Sequence, residues 1–245
     1  MQQRILNLEA LHNARDLGGL LTRDGRRIRP HTLMRSDSTQ RLTPDGERAL
    51  AALGARTVLD IRTNTEVRQE PSALDPAIHT GKSLVAYRHI PMVTDWKSTV
   101  LPSGLEEAYR WHFRDHQEGL FNIFSALADG ALPALVHCAA GKDRTGIVIM
   151  LALALCDVPD EAIAHDYEMT RELYAPLKPY FMEIAARDGY DLEAYERMLD
   201  CRAEVMYATL EHLRQHYGGA EDFLRMIGLS QEQLNRLKQA LVQNA

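Results

Sequence analysis

Residues 135–146 read Leu135-Val136-His137-Cys138-Ala139-Ala140-Gly141-Lys142-Asp143-Arg144-Thr145-Gly146, an apolar strand that feeds a tight loop and then opens an apolar helix. A loop at a helix N-terminus turns several unpaired N–H groups inward and adds the positive end of the helix dipole, so it suits a phosphate dianion. Ala139, Ala140, Gly141, Lys142, Asp143 and Arg144 are the expected phosphate cradle, with Gly141 and Gly146 allowing close backbone approach. The same field favours a thiolate at Cys138, which makes it the candidate nucleophile beneath the phosphorus. Arg144 can present its planar fork to two phosphate oxygens and stabilise the charge that develops on them. Thr145 is expected to offer its hydroxyl to the sulfur and His137 to fix the nucleophile through backbone hydrogen bonds. Lys142 is expected at the rim as a second cation, which would favour acidic or multiply phosphorylated substrates.

Outward from this loop, the first half of the chain alternates short β-rich runs with helical stretches, the pattern of helices covering a largely parallel sheet. Strands are expected at 31–35, 56–61, 87–91 and 134–137. Thr43-Pro44 and Gly54 bracket a crossover helix over 44–53. From Gly146 onward apolar residues recur at helical spacing over 147–155, 160–173, 202–217 and 231–242. The fold expected is therefore α/β: a central, mostly parallel sheet of about four strands flanked by helices, with a largely helical C-terminal half. Residues 1–245 read as one domain. Pro176, Pro179 and Gly189 break the 171–199 stretch into shorter helices, a candidate lid.

The 28 basic and 34 acidic residues leave a net charge of -6, so nothing points to nucleic acid or an anionic membrane as a partner, and any phosphate affinity must be local. No apolar run is long enough to span a bilayer, and the opening residues 1–16 lack a long apolar core with a small-residue cleavage site, so no cleavable leader is expected. Cys138, Cys156 and Cys201 lack zinc-site spacing and are too few for a disulfide framework; a reducing compartment, the cytoplasm by default, is expected, with leaderless secretion left open. Cys156 and Cys201 sit in helical sequence and read as packing. His112 and His116 are spaced to share a helix face but lack a third ligand, so they read as exposed polar residues and no metal is expected.

At these residues the chain resembles the cysteine phosphatase superfamily, whose signature is His-Cys, five residues, Arg, then Ser or Thr. The Gly141-Lys142-Asp143-Arg144-Thr145-Gly146 version is similar to a bacterial and fungal tyrosine-phosphatase branch that includes a secreted mycobacterial tyrosine/lipid phosphatase. Shorter stretches agree: Asn13 to Gly19, Arg35-Ser36-Asp37, Leu59 to Arg62 and the C-terminal Tyr217-Gly218-Gly219. The resemblance implies hydrolysis of phosphotyrosine proteins, with phosphoserine, phosphothreonine and phosphoinositides as further substrates, through a phosphocysteine and without a cofactor. The signature supplies no proton for the leaving group. Asp95 follows the strand ending at Pro91, where loops gather at the carboxyl edge of an α/β sheet, and the resemblance places the acid loop there too. Asp143, inside the loop, is the rival; its other role is to brace Lys142 or Arg144. Asp60 with Arg62 is expected to be an internal ion pair, and Arg15 with Asp16 to tie the N-terminal segment to the core.

A nucleotide-binding P-loop is excluded because Val136 and Asp143 stand where it needs Gly and Ser or Thr. Two readings stay beside the phosphatase: a rhodanese-like sulfurtransferase, which also uses a loop cysteine, and a non-catalytic phosphate-recognition module.

Overall fold

A computed structural model describes residues 4–79, 81–94 and 104–244 of the protein. Its strands are β1 (Arg15–Asp16), β2 (Arg27–Ile28), β3 (Leu33–Ser36), β4 (Thr57–Asp60), β5 (Ala86–His89), β6 (Ala134–His137) and β7 (Val242–Gln243). The main sheet runs in the order β1-β3-β6-β4-β5. Its four longer strands are parallel, and they match the four expected from sequence to within two residues at either end. The sheet's fifth member, β1, pairs antiparallel with β3 and is too short to leave a periodic signal. A separate ribbon joins β2 to β7, setting Ile28 opposite Val242 and so tying the start of the domain to its end.

Strands β3, β4 and β6 are buried along their whole length, as expected for parallel strands covered on both faces. Alternate residues therefore feed two different cores. Leu33, Leu59 and Val136 point into the larger one. Met34, Val58 and Leu135 point into the smaller, where Leu50 of α1 (Pro44–Ala52) and the N-terminal Leu6, Leu8 and Leu11 cover them. Thr43 caps α1 by accepting from the Gly46 N–H at 3.1 Å, and Gly54, at φ +89°, turns the chain out of it.

Helix α2 (Asn64–Gln69) follows β4. Helices α3 (Leu105–Asp115) and α4 (Gln117–Ala126) lead back to the central strand β6. Next comes α5 (Asp143–Leu155), buried on nearly every side, which is why its sequence is apolar around the full turn. The run expected over 160–173 is two helices, α6 (Asp160–Glu168) and α7 (Thr170–Leu173). Then follow α8 (Lys178–Arg187), α9 (Leu192–Met198), α10 (Ala203–Tyr217), α11 (Ala220–Met226) and α12 (Gln231–Leu241). Pro176 and Pro179 stand in the first turns of a 3-10 helix (Ala175–Leu177) and of α8, where proline costs no hydrogen bond. Segment 171–199 lies against the sheet's carboxyl edge: the Tyr180 hydroxyl donates to Glu70, and the Arg41 guanidinium sits 4.6 Å over the Tyr180 ring. Among the described residues no helix is long and apolar enough to cross a membrane.

Candidate active site

β6 ends at His137 and α5 begins at Asp143, so residues 138–142 turn directly from the central strand into the N-terminus of the most buried helix. Gly141 makes this turn at φ +66°, and a Cβ there would lie 2.1 Å from the Ser36 carbonyl oxygen; only glycine fits. Gly146 differs from expectation: its added Cβ would make ordinary contact with the Tyr167 ring at 3.4 Å, so it serves helix packing. Cys138, 3% exposed, sits at the base of the loop.

Every carbonyl from 138 to 142 has a donor. Cys138 O pairs with His137 Nδ1 (3.0 Å), and Ala139 O accepts from the Ser38 N–H (3.0 Å). Ala140 O and Gly141 O both accept from Asn13 Nδ2 (3.0 and 3.1 Å), and Gly141 O also from Arg35 Nη2 (2.6 Å). Lys142 O takes the first helical bond, from the Gly146 N–H at 2.7 Å. The N–H groups of residues 139–143, by contrast, donate to nothing among the described residues. Amides of a partly buried loop are rarely left this way, and five in succession make a receptor for an oxyanion.

Arg144 stands at the exit of the loop. Its Nη1 and Nη2 donate to Oε2 and Oε1 of Glu66 at 2.6 and 2.7 Å, an end-on bidentate pair. Glu66 is itself fixed, because it is the third residue of α2 and closes a capping box: the Glu66 N–H donates to Thr63 Oγ1 (3.1 Å), and the Thr63 N–H to Glu66 Oε2 (2.8 Å). Burial would raise the Glu66 carboxyl, but the Arg144 charge and these hydrogen bonds hold it down at about 2. Sequence reasoning missed Glu66. The Thr63-x-x-Glu66 pattern announces a helix start, but nothing local says that the same carboxylate reaches a guanidinium 78 residues on.

Because the folded-state value lies below the ordinary glutamate value of 4.5, this pair contributes stability fully present above that pH and lost as pH falls through about 2. A Glu66→Gln variant keeps the capping geometry and loses the charge. It is expected to show a shallower decline in stability between about pH 4.5 and 2 than wild type, read by urea titration at several pH values. Parallel curves would contradict the pairing.

Behind the loop, His137 is fully buried and its Nε2 lies 3.0 Å from Thr39 Oγ1, which in turn lies 2.7 Å from Ser72 Oγ. Burial lowers the His137 pKa, and the ring meets the base of the loop through Nδ1, 3.0 Å from Cys138 O. Asp60 and Arg62 form the expected internal pair, with Nη2 to Oδ2 at 2.6 Å, and the Tyr87 hydroxyl adds a bond at 2.9 Å. Burial acts to raise Asp60, yet His137 and Arg62 carry it well below the carboxylate range.

Several expectations need correction. Lys142 is not at the rim: it is fully buried, and its Nζ donates to Asp143 Oδ1 (3.0 Å) and to the Met198 carbonyl at the end of α9. Burial works against its charge, but Asp143 outweighs it, so the ammonium persists as a tie between loop and α9. Arg15 does not pair with Asp16; it reaches Asp166 in α6 (Nε to Oδ1, 3.2 Å), while Asp16 accepts from the His31 N–H at 3.0 Å. Thr145 Oγ1 is buried and has no hydrogen-bond partner among the described residues, so no bond to sulfur is present. His112 is not exposed but 4% accessible, its Nδ1 3.0 Å from that of His116; burial, then His116, lowers it to about 3. Burial likewise pushes the Cys156 and Cys201 thiols up to about 12 and about 11, in keeping with packing roles.

Asp143 Oδ1 accepts from both Lys142 and the Tyr109 hydroxyl (3.0 Å each), the bracing arrangement. Asp95 lies outside the described residues. The chain leading to it is held up to Thr94: Met92 N–H donates to Ile61 O (3.2 Å), and Thr94 O accepts from Asn64 N–H (3.0 Å), at the start of the helix that carries Glu66.

Comparison with known proteins agrees with this geometry. A family model described as the tyrosine phosphatase family matches residues 6–243. A tyrosine-protein phosphatase of Nostoc commune is 34% identical over 224 residues, covering 86% of this chain and 74% of the relative. The triple specificity protein phosphatase PtpB of Mycobacterium tuberculosis is 26% identical, covering 97% of this chain and 99% of its own.

Proposed function

Because the chain belongs to the tyrosine phosphatase family, we propose that it hydrolyses phosphotyrosine in proteins through a phosphocysteine on Cys138. The observation that carries this is the loop of residues 138–143, with its carbonyls taken, its amides unengaged among the described residues, and a cysteine at its base. The Cys138 thiolate attacks phosphorus in line; an S–P bond forms as the P–O bond to the leaving group breaks, and the leaving oxygen takes a proton from an acid. Water then attacks phosphorus, the P–S bond breaks, the thiolate is restored and inorganic phosphate departs. Loop amides and Arg144 supply the positive charge, so no metal is required. Glu66 accepts from Nη1 and Nη2 of Arg144 and so fixes the guanidinium at the exit of the loop.

Asp95 is the proposed acid. Both donors to Asp143 converge on Oδ1, which suits a brace better than a proton donor, whereas the chain following β5 is held as far as Thr94, whose carbonyl accepts from Asn64 at the start of the helix that carries Glu66. Phosphotyrosine ranks ahead of phosphoinositides because Lys142, the cation that would have favoured a multiply charged headgroup, is buried away from the rim. Activity on phosphoserine, phosphothreonine and phosphoinositides is the wider reading, in keeping with the triple specificity for which the mycobacterial relative is named.

The test is turnover of phosphotyrosine peptide, phosphoserine peptide and phosphoinositide in the presence of chelator. Asp95→Asn is expected to lower kcat on phosphotyrosine peptide by about 10²-fold or more, and far less on an aryl phosphate whose leaving group needs no proton. If Asp143→Asn produces that pattern and Asp95→Asn does not, the acid is Asp143. If no substrate turns over while phosphate analogues bind tightly, the protein is a recognition module.

A further inference from the structure

We propose that Asn13 and Arg35, anchored on Asp166, are positioning residues that aim the loop amides at the phosphate; this rests on reading residues 138–143 as a phosphate cradle. In a planar trans peptide the C=O of one residue and the N–H of the next point in opposite directions. Whatever holds the carbonyls of Ala140 and Gly141 outward therefore holds the N–H groups of Gly141 and Lys142 inward. Asn13 Nδ2 bridges those two carbonyls at 3.0 and 3.1 Å, and Arg35 Nη2 takes Gly141 O at 2.6 Å.

Neither donor is left to choose its own direction. The Asn13 side chain could be turned by a half-rotation that would set its oxygen against the loop carbonyls, but its Oδ1 accepts from Arg15 Nη1, which selects the productive orientation. Its backbone is held as well, since the Asn13 N–H donates at 2.8 Å to Oδ1 of Asp37, the residue immediately after β3. Arg15 and Arg35 then meet on one carboxylate. Arg15 Nε and Arg35 Nη1 reach Asp166 Oδ1 and Oδ2 at 3.2 and 2.9 Å, Arg15 Nη2 also takes Asp166 O at 2.7 Å, and Arg4 Nη1 adds a bond to Oδ1 at 3.0 Å.

Asn13, Arg15, Arg35 and Asp166 are all at most 1% exposed. Burying two guanidiniums against one carboxylate is a poor way to stabilise a fold, because apolar residues of similar volume would serve at least as well. Its product is directional: a hydrogen-bonded chain from α6 through β1 and β3 that ends on two loop carbonyls, with surplus positive charge behind the phosphate site. The motif stretches Asn13 to Gly19 and Arg35-Ser36-Asp37 thereby gain a shared purpose.

The experiment compares wild type, Asn13→Ala, Arg35→Lys and, as a control for stability alone, Leu50→Ala in the smaller core. Tungstate affinity is measured by calorimetry, kcat and KM on phosphotyrosine peptide, and folding by circular dichroism and Tm. Asn13→Ala is expected to weaken tungstate binding and lower kcat by roughly 10- to 100-fold each, with kcat falling more than KM rises, since oriented amides act most on the transition state. Arg35→Lys keeps the charge but cannot hold Gly141 O and Asp166 together, and should show a smaller loss of the same kind. Leu50→Ala should lower Tm and leave tungstate affinity and kcat as they are. Folded Asn13→Ala and Arg35→Lys proteins with wild-type affinity and kcat would overturn the proposal, as would losses matched by Leu50→Ala at equal Tm. A wild type that binds tungstate but hydrolyses nothing would overturn the phosphatase reading instead, and the affinity ratios would still decide the positioning role.

Discussion

Cys138→Ser is expected to reduce turnover of phosphotyrosine peptide by about 10⁵-fold or more while leaving tungstate binding close to wild type. A serine hydroxyl at the base of the loop is isosteric with the thiol, but it is not ionised at neutral pH and is a poorer nucleophile toward phosphorus. The oxyanion receptor is built from backbone: the five unengaged amides belong to residues 139–143, and the donors that orient them are Asn13, Arg35, Ser38 and His137. None of these depends on the sulfur. Steady-state assays with a calorimetric titration check both halves, and a serine variant with a measurable fraction of wild-type turnover would remove Cys138 from the chemistry.

Arg144→Lys carries the second largest expected effect, a fall in kcat/KM of about 10³-fold on every substrate. Lysine keeps the charge but has no fork, so it cannot pair with both oxygens of Glu66 as Arg144 does, nor grip a phosphate bidentately. The Glu66 carboxylate, 27% exposed and held at about 2, would keep only part of its partner. A modest loss of stability, concentrated above the ordinary glutamate range where the carboxylate is charged, should accompany the loss of activity. Kinetics on folded protein separates the two, and an Arg144→Lys enzyme with near-normal kcat/KM would mean that charge alone suffices.

The sequence is most legible where a chemical demand falls on adjacent residues. Cys138, Gly141 and Arg144 answer one another within a single strand-loop-helix turn, and β4 and β6 are legible because each is a short run dominated by apolar or β-branched residues. Contacts that close across the sheet are harder to read. Glu66 carries only a local signature, that of a helix cap; its grip on Arg144 exists only once β4 and β6 lie side by side. Lys142 was expected at the rim since a loop lysine normally finds water, but the arrival of α9 supplies the Met198 carbonyl, and Asp143 supplies the charge. Asn13 and Arg35 stood out only as parts of short shared stretches. Their purpose is set by backbone carbonyls, which leave no mark in a sequence.

The most direct test of the account is a rapid-quench experiment in which wild-type protein is mixed with phosphotyrosine substrate, denatured within the first turnover, digested and weighed by mass spectrometry. The account predicts a transient gain of one phosphoryl group on Cys138, in the peptide containing residues 135–144, absent from Cys138→Ser. Full turnover with no phosphoryl group trapped there, or with the group on another side chain, would contradict it.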